Sequence, residues 1–179
     1  GVRVHNKGCF APWTPVLMAD GVQKPIEEVQ ANDQVTSWDE GAGRLTQATV
    51  LSVDVFPGRT MLEVSFNAPS AEVAARQLRS ADNSETGSQA TSLIVTRDHP
   101  IYSARSRGLV SMQPNMTLEL YAMAVGQMQE RELLHHHLGQ HLPAQVRGWQ
   151  GNTSKVMTLR LDRHHWFYAH GVRVHNKGC

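Results

Sequence analysis

The sequence predicts an all-β fold, and two observations carry that prediction. Short alternating or β-branched apolar runs recur along most of the chain, and Gly, Pro and Asp-Gly turn signals fall between them. Thr14–Ala19 is the first such run, closed by Asp20-Gly21. Lys24–Val29 leads into Asp33–Ser37, and Thr49–Phe56 is closed by Pro57-Gly58. Met61–Phe66 alternates, Ser92–Thr96 is a continuous β-branched run, and Val156–Leu161 alternates again. Trp166–Val174 is a last aromatic and β-branched stretch. Strands of this kind suggest a sandwich or barrel-like arrangement. Two segments break the pattern. Ala71–Leu78 reads as a short helix followed by a loose polar loop, and Thr117–Leu142, rich in Leu, Met, Glu and Gln, reads as a helix. Both look like insertions on a β scaffold.

Composition narrows the function. The chain has 179 residues, 40% apolar and 18% charged, which suits one globular domain. Sixteen acidic residues offset seventeen basic ones, and a net charge of +1 gives no electrostatic footprint for nucleic acid or an anionic membrane. No apolar run approaches the roughly 18 residues of a membrane-spanning helix. The opening GVRVHNKGCF lacks the apolar core of a signal peptide. An intracellular setting within a larger host protein is therefore expected. Two cysteines, Cys9 and Cys179, exclude a disulfide framework and leave a reactive thiol to consider. Ten histidines are the one compositional excess.

Residues 1–9, GVRVHNKGC, recur identically as residues 171–179. A unit this short is no solenoid repeat. It implies a domain in tandem array or one given matching flanks. The expected organisation is an N-terminal flank at residues 1–8, a domain over 9–176, and a C-terminal flank at 177–179.

Four short segments carry residue types suited to acyl transfer. Gly8-Cys9-Phe10 places a thiol after an unbranched residue, and Thr96-Arg97-Asp98-His99 leaves a strand with a hydroxyl and an imidazole three residues apart. His165-Trp166-Phe167 and His175-Asn176 complete the set. A cysteine at a peptide junction can attack the preceding carbonyl and turn the amide into a thioester. That shift needs the amide polarised and its nitrogen protonated, a task for His99 with Thr96. An asparagine amide can close a succinimide on its own carbonyl and break the following peptide bond. It is a poor nucleophile and needs a base and a proton donor, for which His165 and His175 have the chemical type.

Taken in order, these stretches resemble the Hint (hedgehog/intein) superfamily, and most closely its bacterial-intein-like self-processing domains. CFAPWTPVLMADGVQKPIEEVQANDQV at Cys9–Val35 is similar to the family's N-terminal block. LIVTRDHPIYS at Leu93–Ser103 is similar to its Thr-x-x-His block, and VMTLRLDRHHWFYAHGVRVHN at Val156–Asn176 to its two C-terminal blocks. The resemblance covers about sixty residues and implies a horseshoe-shaped all-β domain with pseudo-two-fold symmetry that brings its ends together. It implies Cys9 as the N-terminal nucleophile, Thr96 and His99 as its activating pair, and His165 and His175 as assistants to Asn176. The scissile bonds would follow Gly8 and precede Lys177. The partners implied are the chain's own flanks and small thiols or amines, with no cofactor, no metal and a monomeric state.

Three departures from the family pattern stand out. Lys177 occupies the position where splicing members have Cys, Ser or Thr, Thr158 stands where many have Asp, and Trp13 where Gly is common. Cys179, two residues beyond Lys177, is a possible acceptor or a copy of Cys9 in the repeated flank. His135, His136, His137 and His141 lack acidic or Cys partners at ligand spacing, so a polar turn at a helix end is expected over a metal site. Asp33 and Asp98 read as turn and strand-edge residues rather than acids in the chemistry. A cysteine peptidase using Cys9 and His99 in trans, and an inert structural or metal-binding module, remain the alternatives.

Overall fold

The computed structural model describes residues 8–70 and 87–176. The short helix expected at Ala71–Leu78, most of the N-terminal flank, Lys177 and Cys179 lie outside the described residues. Fourteen strands account for most of the rest. They are β1 (Pro15–Leu17), β2 (Gln23–Pro25), β3 (Gln34–Asp39), β4 (Arg44–Pro57), β5 (Met61–Pro69), β6 (Ser88–Thr96) and β7 (Ile101–Ser103). After these come β8 (Gly108–Ser111), β9 (Gly126–Gln127), β10 (Arg131–His135), β11 (His141–Gly148), β12 (Lys155–Leu161), β13 (Trp166–Ala169) and β14 (Val172–His175). One α-helix, α1 (Pro114–Tyr121), is present among the described residues. The all-β expectation holds.

The strands form two sheets. The larger runs β2-β1-β13-β14-β7-β10-β11-β5-β6, with β8 on β7 and β9 on β8, and the smaller runs β12-β4-β3. Neighbours in the larger sheet are often remote in sequence: Val16 on β1 pairs with Ala169 on β13, and Val174 on β14 with Ile101 on β7. The sheets are stitched by polar groups as well as by the core, for Ser37 Oγ of β3 donates to the Trp166 carbonyl at 2.6 Å. Between them lies a continuous apolar core that includes Phe10, Ile26, Val50, Leu62, Leu93, Leu159 and Phe167.

Lys24–Val29 is strand only as far as Pro25, after which Ile26–Glu28 forms a 3-10 turn, and two longer stretches need correction. Thr117–Leu142 is not a helix. The helix stops at Tyr121, where Ala122 takes a left-handed φ of 50°, and the chain then forms β9, β10 and the start of β11. Strand β10 buries alternate residues Glu132 and Leu134, and β11 buries Leu142 and Ala144. The inward-facing Glu132 masks the period-2 pattern; it is tolerated because its carboxylate accepts Ser103 Oγ and the Gln129 N–H, each at 2.7 Å. Pro143 lies just outside the ladder to β5, which begins at Ala144, so its missing N–H costs nothing there. The histidine cluster is therefore a hairpin, with His135 paired to His141 across it, and not a helix end.

The second correction concerns Trp166–Val174, which is two strands. His170 and Gly171 have φ values of 48° and 80°, and Ala169 pairs with Val172. Two consecutive positive φ values make a type I′ turn, whose twist matches that of a tight hairpin. Glycine is required at 171 for a second reason, since a Cβ there would lie 2.6 Å from His136 Nε2.

Candidate functional site

Residues 9–11 thread between β12 and β6 as an extra strand-like segment. The Phe10 N–H donates to the Met157 carbonyl at 2.8 Å, Met157 returns the bond at 2.9 Å, and the Ala11 N–H reaches Ile94. Phe10 anchors the segment from the core, packed edge-on against His99 and Phe167 with ring centroids 4.4 and 5.5 Å away. Cys9 is fully buried, in a small apolar cluster with Ala11, Met61, Ile94 and Val156.

Thr96 ends β6 beside it. Its Oγ1 accepts the Cys9 N–H at 2.9 Å, and its own N–H donates to the Cys9 carbonyl at 2.9 Å. The amide nitrogen of the Gly8–Cys9 bond is thus held by a hydroxyl. His99 follows one turn later and is buried, with the Gly8 and His175 backbones against its ring. Gly8 packs so closely on it that a Cβ at residue 8 would lie 2.7 Å from His99 Cα and from Nδ1. Burial drives the His99 pKa down to about 4, while the Gly8 backbone, Asp98 and the His175 backbone pull weakly upward. At neutral pH the ring is uncharged.

The β13–β14 hairpin delivers the C-terminal residues to the same place. Asn176 is buried, its backbone N–H donates to the His165 carbonyl at 2.6 Å, and its side-chain nitrogen makes no hydrogen bond among the described residues. The His175 N–H donates to the Pro100 carbonyl at 3.3 Å, next to His99, and its ring stands edge-on to Trp166 at 4.8 Å. Gly8, His99, Pro100, Tyr121, Thr158, His175 and Asn176 line one cavity of about 10 Å³, room for about one water molecule.

His165 touches Asn176 through its carbonyl; its ring is exposed and lies 6.2 Å from the His175 ring, with a φ of 57°. His170 is elsewhere, in the hairpin turn, with its N–H on the Pro15 carbonyl. Asp33 is a turn residue as expected, accepting the Gln30 N–H. Asp98 is not a strand-edge residue. It is buried, with Oδ1 2.6 Å from Arg59 Nη2 and Oδ2 accepting the Tyr121 hydroxyl at 2.9 Å.

Helix α1 holds that arrangement through one face. The Gln113 N–H donates to the Arg97 carbonyl, Thr117 Oγ1 to the Asp98 carbonyl, and Tyr121 to the Asp98 carboxylate. Positions 113, 117 and 121 are four apart, so they stack on the side facing the Thr96–His99 loop. Burial, then Asp98, push the Tyr121 hydroxyl well above the ordinary tyrosine range, and Cys9 adds to this. Tyr121 and Arg59 escaped the sequence analysis; the four-residue spacing of Gln113, Thr117 and Tyr121 was the available signal. Among the described residues no group of three or more His, Cys, Asp or Glu is placed to hold a metal.

The chain has the Hint fold, the fold of inteins. It matches the bacterial intein-like domain from Clostridium thermocellum at 20% identity and a TM-score of 0.59, covering 95% of this chain and 99% of that one. A DnaB intein from Synechocystis sp. PCC 6803 matches at 12% identity and a TM-score of 0.64, covering 96% and 99%. The DnaX mini intein from Spirulina platensis matches at 13% identity and 0.62, covering 95% and 100%. No family model and no curated protein matches the chain.

Proposed function

We propose that this chain is a self-processing domain that cuts its own backbone after Gly8 and before Lys177. The observation that supports this best is the shared cavity, where Gly8 and His99 meet His175 and Asn176 from the far end of the chain. In the first step the Cys9 sulfur attacks the Gly8 carbonyl carbon. A C–S bond forms, the C–N bond breaks, and the thiol proton ends on the Cys9 nitrogen. Thr96 Oγ1, already bonded to that N–H, can rotate its own hydrogen toward the nitrogen as the lone pair develops. Neutral His99, packed against Gly8, carries the proton to the leaving amine.

In the second step the Asn176 side-chain nitrogen attacks its own carbonyl carbon, closing a succinimide and releasing the Lys177 amine. Its lack of a hydrogen-bond partner among the described residues suits it to attack, and the His165 carbonyl fixes its backbone. His175, with His165 assisting, takes the amide proton and supplies one to the leaving nitrogen. Lys177 offers no hydroxyl or thiol to receive the Gly8 acyl group. Its freed α-amine, of ordinary pKa about 7.7–8.0, competes with water and with small thiols or amines for the thioester. Separated flanks are the main product and a joined Gly8–Lys177 peptide a minor one. Cys179 would act as acceptor only if its removal ended that joining. A peptidase acting in trans gains no support, because Cys9 has no exposed surface and the cavity admits no peptide.

Intact-mass analysis of the chain tagged at both ends tests the proposal. Cys9→Ala should abolish release at Gly8 with or without hydroxylamine. His99→Ala should slow that release by roughly 10²–10⁴-fold. Asn176→Ala should block cleavage before Lys177 and leave thiol-induced N-terminal release intact. Release at Gly8 that persists at the normal rate in Cys9→Ala overturns the thioester step.

A further inference from the structure

Cys9 does not share the main core. Successive side chains of an extended segment point to opposite faces. Phe10 enters the main core, while Cys9 and Ala11 belong to a second, smaller apolar layer. There they meet Met61 of β5, Ile94 of β6 and Val156 of β12. The next residue on each strand, Leu62, Val95 or Met157, belongs to the main core. The small layer is therefore the opposite face of these strands, and it needs a cover. Among the described residues, the large apolar side chains packed against it are Phe56 and Trp149, both partly buried.

We infer that the Trp149 indole shields Cys9 from outside nucleophiles and so limits, by size, which of them can take the acyl group. The acyl-group half of this inference rests on the self-processing proposal. Three contacts seat the ring. The Trp149 N–H donates to the Met61 carbonyl at 3.1 Å, which ties its backbone to the layer it covers. Gly151 leaves the space the indole fills, since a Cβ there would overlap Cζ2 and Cε2 and lie 2.9 Å from Nε1. The φ of Gly151 is not positive, so the missing side chain serves the ring and not the backbone. Exposed Trp13 braces the indole, with ring centroids 5.9 Å apart and planes tilted by 56°. Gly151 and Trp13 are positioning residues.

A thioester on Cys9 is consumed when a nucleophile bonds to the Gly8 carbonyl carbon. The C–S bond breaks, and the Cys9 sulfur leaves with the electron pair and takes the proton the nucleophile gives up. Two approaches lead to that bond. The cavity lined by Gly8 and His99, of about 10 Å³, admits about one water molecule and no larger thiol. A larger acceptor has to come from the Cys9 side, past Trp149. With the ring seated, hydroxylamine is small enough to compete with water, and a bulky thiol waits for the layer to open.

Alkylation of Cys9 by iodoacetamide in the full chain tests the shield, with peptide mass mapping to separate Cys9 from Cys179. Trp149→Ala should label at least ~10-fold faster than the parent. Trp149→Phe should stay near the parent, and Gly151→Ala, which unseats the ring without removing it, should approach the Ala variant. Val64→Ala, a hole in the main core, should label like the parent. Thermal melts check folding, and Trp149→Leu replaces Trp149→Ala in the comparison if the latter melts without cooperativity. A parent rate in the truncated Trp149 variant overturns the shield. So does equally fast labelling in Val64→Ala, which would reduce the effect to general instability. For the acyl group, release at Gly8 by 2-mercaptoethanesulfonate should gain about 10-fold on release by hydroxylamine in Trp149→Ala. An unchanged ratio overturns the size limit. Labelling needs no self-processing, so fast labelling of Trp149→Ala beside a parent without Cys9-dependent release upholds the shield and overturns the self-processing proposal.

Discussion

At the scale of single residues, the absence of a side chain at Gly8 is the sharpest constraint on the site. A Cβ there would sit 2.7 Å from the Cα and Nδ1 of buried His99. The Cα is backbone and cannot swing aside, so Gly8→Ala must displace either the Gly8–Cys9 peptide or the Thr96–His99 loop. Misplacing reacting atoms by about 1 Å can cost on the order of 10²-fold. Gly8→Ala should therefore slow thiol-induced release by at least ~10-fold, with Gly8→Val slower still. A time course of release in hydroxylamine reads both, and an undiminished Gly8→Val rate would show that the loop yields. Cys9, Thr96, His99, His175 and Asn176 were legible in the sequence because each has a reactive side chain within an ordered block. Asp98, Arg59 and Tyr121 were not. They are common residue types, 23 and 39 positions apart as pairs, and only the fold brings them into one network.

At the scale of elements, strands were legible where apolar alternation was clean, as in β5 and β12, while β10 was hidden by an inward-facing carboxylate and the β13–β14 stretch was read without its turn. Strand β10 buries Glu132, and β14 buries Arg173. Arg173 is tolerated because its guanidinium lies 3.9 Å from the Trp166 ring centroid, 4.2 Å from Tyr102 and 5.2 Å from Trp38, with Glu40 at 3.2 Å. The stack holds β14 to β3, β7 and β13 and backs the Trp166 ring that meets His175. Arg173→Ala removes these contacts and leaves a hole among three rings. A loss of about 3 kcal/mol is expected from the cavity and the lost cation–π attraction. Arg173→Lys should fall between, since an ammonium cannot lie flat on a ring. Thermal denaturation ranks the three proteins, and the Ala variant should also slow cleavage before Lys177. A melting temperature unchanged in Arg173→Ala would mean that the stack contributes no net stability.

At the scale of the whole molecule, the all-β architecture was legible, but its closure was not. The β1–β13 and β14–β7 pairings join segments more than seventy residues apart, and short apolar runs carry no record of their partners. Closing the fold also buries histidines, and that sets its response to acid. Burial lowers the pKa of His99 to about 4 and that of His136 to about 3, and each is only 3% exposed. His135, His137 and His170 are shifted downward as well, burial being the largest cause in each. In the unfolded chain each ring takes a proton near 6.5, so below that pH the unfolded state binds more protons than the folded one. Stability therefore falls as pH drops from about 6.5 toward 4, by about 3 kcal/mol at pH 4.5 for each of His99 and His136. Together that is comparable to the whole stability of a marginal domain. Urea unfolding of the Cys9→Ala chain, chosen because the proposal assigns N-terminal cleavage to Cys9, should show a far lower midpoint at pH 4.5 than at pH 7. His136→Asn should remove only part of the difference, because Asn keeps an acceptor for the Leu138 N–H that His136 Nδ1 now binds without carrying a titrating proton, while the other buried histidines still titrate. Equal stability at the two pH values would mean that these rings are protonated in the folded state after all.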